Sequence, residues 1–426
     1  MSEVKPVAET NRIESLDVLR GFALLGILLI NILGFGLLSP SYSNPGFDLV
    51  GASGLNITTY AAIELLAEGA MRGLFSILFG AGIVLFASGE SGKGLWLHYK
   101  RTFWLVVFGL INAYLLLWNG DILVTYALAG AVLVLFRNLN SRSLAILSGL
   151  FFVLISLFHA GLNFGLSEAR TAAERVAASD SQALVPEELR LGAEVWYAFE
   201  SDLGLDQAGK AEELAARRDS YGSAFKWNAL QNEEIYTFVV PVFLFWDSLA
   251  MMLLGMSLFK YGVLQGDRSS SFYIKLMSLG FLVGLSLNSY EIYRSIASNF
   301  EILEALAQLQ WSYHFGRLGL SLGYIGLLLF CINSSFLDTL KVRLAAVGRM
   351  ALSNYLMQSL ICGLIFSGAG LALVGELERF ELYPVVILIW VFQLWISPLW
   401  LRHYRFGPAE WLWRALTYGQ SPTMQR

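Results

Sequence analysis

A few ionisable side chains in this sequence of 426 residues fall inside segments otherwise too apolar to hold them, and their spacing suits acid–base chemistry. Glu64, Glu68 and Arg72 recur every four residues and so share one helix face leading into an apolar run. His314 and Arg317 are three apart and also share a face. An imidazole titrating near neutrality suits proton transfer at an acyl or hydroxyl group, and Arg317 could hold an anion or an oxyanion. Asp247, about ten residues into an apolar run, needs a partner or an aqueous cavity if it is ionised. Each has a plainer reading: a solvated helix end for the Glu64 face, a hydrogen-bonded anchor for His314, a structural pair with a buried Arg for Asp247. His159 is a weaker second candidate.

A second group lies at the other ends of the apolar runs. Asp17 and Arg20 stand three apart at the mouth of the first run, and Asn31 follows Arg20 by about three turns on the same stripe. Polarity is thereby carried roughly 16 Å towards the middle of a hydrocarbon core of ~30 Å. Arg349 waits at the mouth of another run whose Asn354 and Gln358 share a face. Together with Arg20, Lys100 and Arg101, Arg349 would suit a polyphosphate such as coenzyme A. Asn354 and Gln358 read equally well as interhelical glue.

The elements that must position these groups are membrane helices. Hydrophobic residues make up 56% of the chain and charged ones only 15%, far from the soluble norm. Runs at 21–38, 69–88, 103–118, 121–136, 144–162, 237–259, 272–290, 311–333, 350–372 and 381–401 predict an all-α polytopic membrane protein of about ten transmembrane helices. Lys93, Lys100, Arg101, Arg137, Arg142, Lys260, Arg268, Lys341, Arg343 and Arg349 crowd one set of loops, as do Lys5 and Arg12 ahead of the first run. Residues 39–68 carry no Lys or Arg, and the other loops of that set contribute Arg294 and Arg379. The positive-inside rule then puts both termini in the cytoplasm. The chain divides into a first five-helix half (1–162), an acidic helical extracytoplasmic loop (163–236), a second half (237–401) and an interfacial tail (402–426). In the second half Gly316, Gly319, Gly323 and Gly326 form a small-residue packing ridge. In the tail Pro408 and Glu410 open a last helix.

Several chemistries are excluded. There is no phosphate-binding loop, dinucleotide fingerprint or paired-histidine zinc helix, and the four histidines are too scattered to suggest a metal set. A net charge of -4 gives no reason to expect nucleic acid. Cys331 and Cys362 read as small hydrophobes.

Four stretches together resemble the YeiB-like bacterial membrane proteins, a domain of unknown function (DUF418). They are Arg12-Ile13 through Asp17-Val18-Leu19-Arg20-Gly21 to Leu28 with Asn31; Phe75-Ser76-Ile77-Leu78-Phe79-Gly80-Ala81-Gly82; Gly348-Arg349-Met350-Ala351-Leu352-Ser353-Asn354-Tyr355 with Gln358-Ser359; and Gly407-Pro408-Ala409-Glu410-Trp411-Leu412-Trp413-Arg414 with Leu416 to Gly419. That family is similar, more distantly, to transmembrane acyltransferases that modify glycans with an acyl group from cytoplasmic coenzyme A. One branch of those carries an Arg on its first helix followed by a catalytic His; Arg20 and Asn31 stand in the matching places. An amide does not usefully titrate, so a base has to come from elsewhere, with His314 the first choice.

The resemblance implies a bacterial inner-membrane acyltransferase. Acyl-CoA would bind among Asp17, Arg20, Asn31, Lys100, Arg101, Arg349, Asn354 and Gln358, without a metal. Glu68, Arg72, Asp247, His314 and Arg317 would serve an extracytoplasmic glycan or small-molecule acceptor. The alternatives are a transporter using Asp247, Glu291 and Arg294, or an envelope scaffold docking through 163–236.

Overall fold

The computed structural model describes residues 13–49, 51–87, 93–179, 185–203, 207–333 and 338–426; Lys5 and Arg12 lie outside them. Their regular structure is helical, with one isolated antiparallel bridge between Tyr404 and Gln425. Seven helical segments are long and apolar enough to cross a membrane: Glu14–Gly36, Gly54–Phe86, Ser141–Ala177, Tyr221–Lys260, Ser270–Ala297, Tyr313–Ile332 and Arg379–His403. This is the make-up of a multi-pass membrane protein. Leu123–Phe136 and Ala351–Phe366 are shorter apolar helices. The former is only roughly 21 Å long by its rise, less than a ~30 Å core.

Helix α1 (Glu14–Gly36) begins before the apolar run, so Asp17 and Arg20 sit in its first turns. Asp17, in the first turn of α1, marks one end of the bundle, and Glu68, just ahead of α3, lies towards the opposite end. Helices α2 (Gly54–Leu66) and α3 (Ala70–Ala87) meet at Gly69, whose φ of 64° suits a residue without a Cβ. Then come α4 (Lys93–Leu110), which runs on into a π-helical turn Ile111–Leu115, α5 (Leu123–Leu133) and α6 (Ser141–Ala177). The last is 37 residues long and continues well past 162 into the segment read as a loop.

The acidic segment holds α7 (Glu187–Leu203), α8 (Gln207–Arg218) and α9 (Tyr221–Glu234). Arg217 of α8 caps α1: its guanidinium donates to the carbonyls of Leu37 (2.7 Å), Gly34 (2.8 Å) and Phe35 (2.9 Å), otherwise orphaned at a helix C-terminus. Between α9 and α10 (Phe245–Lys260) the helix widens to a π-helix over Ile235–Leu244. Pro241 inside it has no N–H to give, which accounts for the altered ladder. This segment delivers Asp247 to the first turn of α10.

Helices α11 (Ser270–Ala297), α12 (Ile302–Ala305) and α13 (Tyr313–Asn333) follow. The glycine ridge of α13 packs against α11: a Cβ on Gly319 would meet the backbone of Gly284 and one on Gly326 that of Met277. Helix α14 (Asp338–Arg349) occupies what the sequence suggested was a basic loop. It crosses α1 so closely that a Cβ on Gly21 would lie 2.0 Å from the Leu344 carbonyl, and one on Gly348 1.9 Å from that of Asp17. Helices α15 (Ala351–Phe366), α16 (Leu382–His403) and α17 (Pro408–Tyr418) complete the chain.

Candidate functional site

Asp17, Arg20, Arg101, Arg349 and Arg414 gather around the mouth of a cavity of about 320 Å³ at the Asp17 end. Asp17 Oδ1 accepts from Arg20 Nη1 at 2.8 Å, the i,i+3 pair expected from the spacing. The Arg101 guanidinium lies over the rings of Trp413 (4.3 Å) and Phe86 (5.0 Å), while Trp413 Nε1 donates to the Arg101 carbonyl (2.9 Å). Inward of this ring of guanidinium groups the wall turns apolar, through Leu24, Ile27, Leu78, Phe79, Ile83 and Leu105.

All four stretches singled out in the sequence line this cavity. The first gives Asp17, Arg20, Leu24 and Ile27; the second gives Phe75, Leu78, Phe79 and Gly82. The third gives Gly348, Arg349, Ala351, Leu352 and Tyr355; the fourth gives Glu410, Trp413, Arg414, Thr417 and Tyr418. The third and fourth also cap each other. Glu410 accepts from the Leu352 N–H (2.7 Å), the Ser353 N–H (3.2 Å) and the Ser353 hydroxyl (2.5 Å), and Ser353 Oγ accepts from the Ala409 N–H (2.9 Å). Helix α17 is thus tied across the mouth, and burial pushes the Glu410 carboxyl above its ordinary range.

Four residues expected here stand elsewhere. Asn354 and Gln358 face α16 and are almost fully buried. Asn354 Nδ2 donates to Ser397 Oγ (3.0 Å) and the Val347 carbonyl (3.2 Å), and Gln358 Nε2 donates to Gln393 Oε1 (2.9 Å). Asn31 is half-buried on α1, outside the lining. Lys100 reaches towards Gly419 at the end of α17 rather than into the cavity.

The cavity ends at Tyr126, whose hydroxyl lies 2.7 Å from Ser76 Oγ and donates to the Arg72 carbonyl (3.1 Å). Beyond it lies the second group. Asp247 is gripped by both terminal nitrogens of Arg317, Nη1 donating to Oδ2 at 2.7 Å and Nη2 contacting Oδ1. Arg72 Nη2 is 3.9 Å from Asp247 Oδ2 and donates to the Tyr313 hydroxyl (3.3 Å), which donates to Glu68 Oε1 (2.8 Å). Asp247, Arg317, His314 and His159 are all at most 5% exposed.

Donor chemistry fixes the histidine tautomers. Arg317 Nη2 lies 2.8 Å from His314 Nδ1, and a guanidinium can only donate. His314 Nδ1 is therefore the acceptor and its proton sits on Nε2, which faces His159 Nδ1 at 2.8 Å. His159 in turn carries its proton on Nε2. Both nitrogens of His314 are engaged, whereas Glu68 has an open side: with Glu64, Glu291, Tyr60 and Tyr313 it lines a cavity of about 10 Å³, room for about one water. Glu291 accepts from Ser312 Oγ at 2.5 Å, and Arg294 binds Tyr290 and Glu304, so neither touches Asp247 directly.

Tyr126, Tyr313 and Trp413 were not singled out as site residues. Tyr126 could have been noticed as an isolated phenol within an apolar run, and Tyr313 as the neighbour of His314. Among the described residues no group of His, Cys, Asp and Glu could hold a metal ion.

Residues 258–420 match a family described as a protein of unknown function (DUF418). The chain is 31% identical over 420 residues to the uncharacterized protein YeiB of Escherichia coli (strain K12), covering 95% of both chains. It is 28% identical over 438 residues to the uncharacterized protein YxaH of Bacillus subtilis (strain 168), covering 98% of this chain and 97% of the relative. An uncharacterized 39.9 kDa protein in the amylase 3' region of Bacillus acidopullulyticus is 26% identical over 423 residues, with 97% and 96% covered.

Proposed function

The chain belongs to the YeiB-like DUF418 family, and from that premise we propose a transmembrane acyltransferase that takes an acyl group from acyl-CoA at the Asp17 end and passes it to a glycan or small-molecule acceptor at the Glu68 end. In this reading ten helical units cross a bacterial inner membrane: α1, α2–α3, α4, α5, α6, α9–α10, α11, α13, α15 and α16. The Asp17 end and both termini then face the cytoplasm, in keeping with the basic residues there.

The observation that carries the reading is the cavity, with its guanidinium mouth and apolar interior, lined by all four family stretches. Guanidinium groups favour planar, bidentate phosphate recognition, as the diphosphate of coenzyme A would need. At the other end the open side of Glu68 suits it to accept the acceptor's proton as the acceptor–acyl bond forms. Meanwhile the thioester C–S bond breaks, and coenzyme A leaves at the Asp17 end as the thiol, protonated from the water there. His314, held by Arg317, orients the cluster and completes its hydrogen bonding. Arg72 joins the two regions: its carbonyl bonds the Tyr126 hydroxyl at the cavity floor and its guanidinium reaches Tyr313 and Asp247.

Acyl-CoA binding to the purified protein tests the proposal. Arg20→Ala and Arg349→Ala should each weaken binding about tenfold and reduce its salt dependence. Unchanged affinity in both variants would overturn the donor site. A second reading, transport, draws on the two cavities lying on opposite sides of the Tyr126–Arg72 layer. Substrate-dependent proton flux in vesicles, without coenzyme A binding, would favour it.

A further inference from the structure

We infer that the inner part of the large cavity is an acyl-chain shaft, built for a long-chain acyl group whose phosphate-bearing head is held at the guanidinium mouth. The inference rests on reading this cavity as the donor site and specifies which donors it takes.

Depth is the first argument. Along α3 the lining extends from Phe86 to Phe75, eleven residues of helix, or roughly 16 Å. That is about half of a ~30 Å hydrocarbon core, the reach of one leaflet. An acetyl group has three heavy atoms, whereas cavities on the order of 300–1,000 Å³ take ligands of drug size. A cavity of about 320 Å³ holds far more than an acetyl group, space that the acyl chain shares with the pantetheine arm joining it to the diphosphate.

Polarity is the second. Three polar groups that reach the shaft are already bonded to protein. Tyr126 is held by Ser76 and the Arg72 carbonyl, Tyr355 accepts from Trp118 Nε1 (3.1 Å), and His98 Nε2 bonds the Gly130 carbonyl (2.9 Å). Hydrocarbon would lose nothing there, whereas a polar ligand or a file of waters would find few partners.

Access is the third. The lining includes Leu85, which is 40% exposed two residues before the end of α3, so the wall beside the mouth is not closed over by protein. A chain anchored in the membrane could enter sideways there while its head reached the mouth. Gly82 marks the open interior of the shaft: a Cβ at this position meets no atom within 4 Å. A larger side chain would therefore start in open space at the cavity wall, and it would gain helix propensity.

A long-chain acyl group with a phosphate head could come from an acyl-CoA or from an anionic phospholipid. The test uses the full chain in phosphatidylcholine nanodiscs, with empty nanodiscs subtracting partitioning. Palmitoyl-CoA, acetyl-CoA and phosphatidylglycerol are titrated against the wild type and Gly82→Leu. The expected result is that palmitoyl-CoA binds at least about a hundredfold more tightly than acetyl-CoA, given the free energy gained per buried methylene. Gly82→Leu should remove most of that advantage. Equal affinities for the two thioesters, or an advantage untouched by Gly82→Leu, would overturn the shaft while leaving the donor site standing. Binding of neither thioester, with phosphatidylglycerol bound and displaced by Gly82→Leu, would keep the shaft and sink the coenzyme A donor. Saturable binding of none of the three would overturn both.

Discussion

Arg101 and Arg317 show how differently the two regions of this molecule use the same side chain. Around the cavity, side chains enclose space: Arg101 leans on the faces of Trp413 and Phe86 at a mouth open to ligand. In the cluster beyond Tyr126 side chains enclose one another. Arg317 is 1% exposed, bound to Asp247 and His314, with its guanidinium 5.0 Å above the Tyr313 ring. The first arrangement is poised to bind and the second to hold a fixed geometry. Removing a charge should therefore impair binding in the first region and folding in the second.

The largest expected effect comes from breaking the buried pair. Asp247→Ala leaves the Arg317 charge uncompensated and should destabilise the protein by about 3–5 kcal/mol. Arg101→Ala, which removes two aromatic contacts near the surface, should cost roughly 1 kcal/mol or less. Thermal unfolding in detergent measures both. The double variant Asp247→Leu/Arg317→Leu should recover most of the loss, because it removes the charge together with its partner. Equal destabilisation by Asp247→Ala and Arg101→Ala would erase the distinction between the regions.

The same contrast explains how much was legible in the sequence. The i,i+3 and i,i+4 pairs came through because helical spacing alone brings such residues together: Asp17 with Arg20, His314 with Arg317. The possibility that Asp247 pairs with a buried Arg was read from the cost of an isolated charge in an apolar run, but not which Arg, since Arg317 lies 70 residues away. Contacts of that range depend on helix packing, which hydropathy does not encode. The end of α6 and the start of the helix that runs through α9 into α10 differ from the apolar runs 144–162 and 237–259 for a related reason. Their helices continue past the apolar runs into polar sequence, and hydropathy registers only the part fit for a bilayer. Asn354 and Gln358 share a face as their spacing required, but which neighbour that face meets was not readable, and it meets α16.

Glu410 provides a smaller test at the boundary between holding and binding, because it both lines the cavity and caps α15. Glu410→Ala should cost about 1 kcal/mol, the usual worth of a helix cap. Burial raises its carboxyl pKa in the folded state, so the protonated form is the one the fold favours. The contribution is then complete below the ordinary glutamate value of about 4.3 and fades as pH rises through the raised folded value. Hydrogen exchange at the Leu352 and Ser353 amides should therefore be no less protected at pH 5 than at pH 7, once intrinsic rates are corrected. Release of α17 on acidification would contradict this, and Glu410→Gln should flatten the profile.

The smallest effect is expected between α15 and α16, where the side chains enclose no space and carry no charge. Gln358 Nε2 donates to Gln393 Oε1, and Gln393 Nε2 donates to the Asn354 carbonyl at 2.9 Å, so the two helices are joined by a short amide chain. Interhelical hydrogen bonds in membrane proteins average about 0.6 kcal/mol, because the separated helices find other partners. Gln358→Leu should therefore lower stability by about that amount and leave acyl-CoA affinity within twofold of the wild type. A stability loss as large as that of Asp247→Ala would mean that the amide chain, rather than the ion pair, fixes the helix arrangement. A loss of acyl-CoA affinity at constant stability would instead move Gln358 from the packing seam to the ligand site, since the third family stretch reaches both.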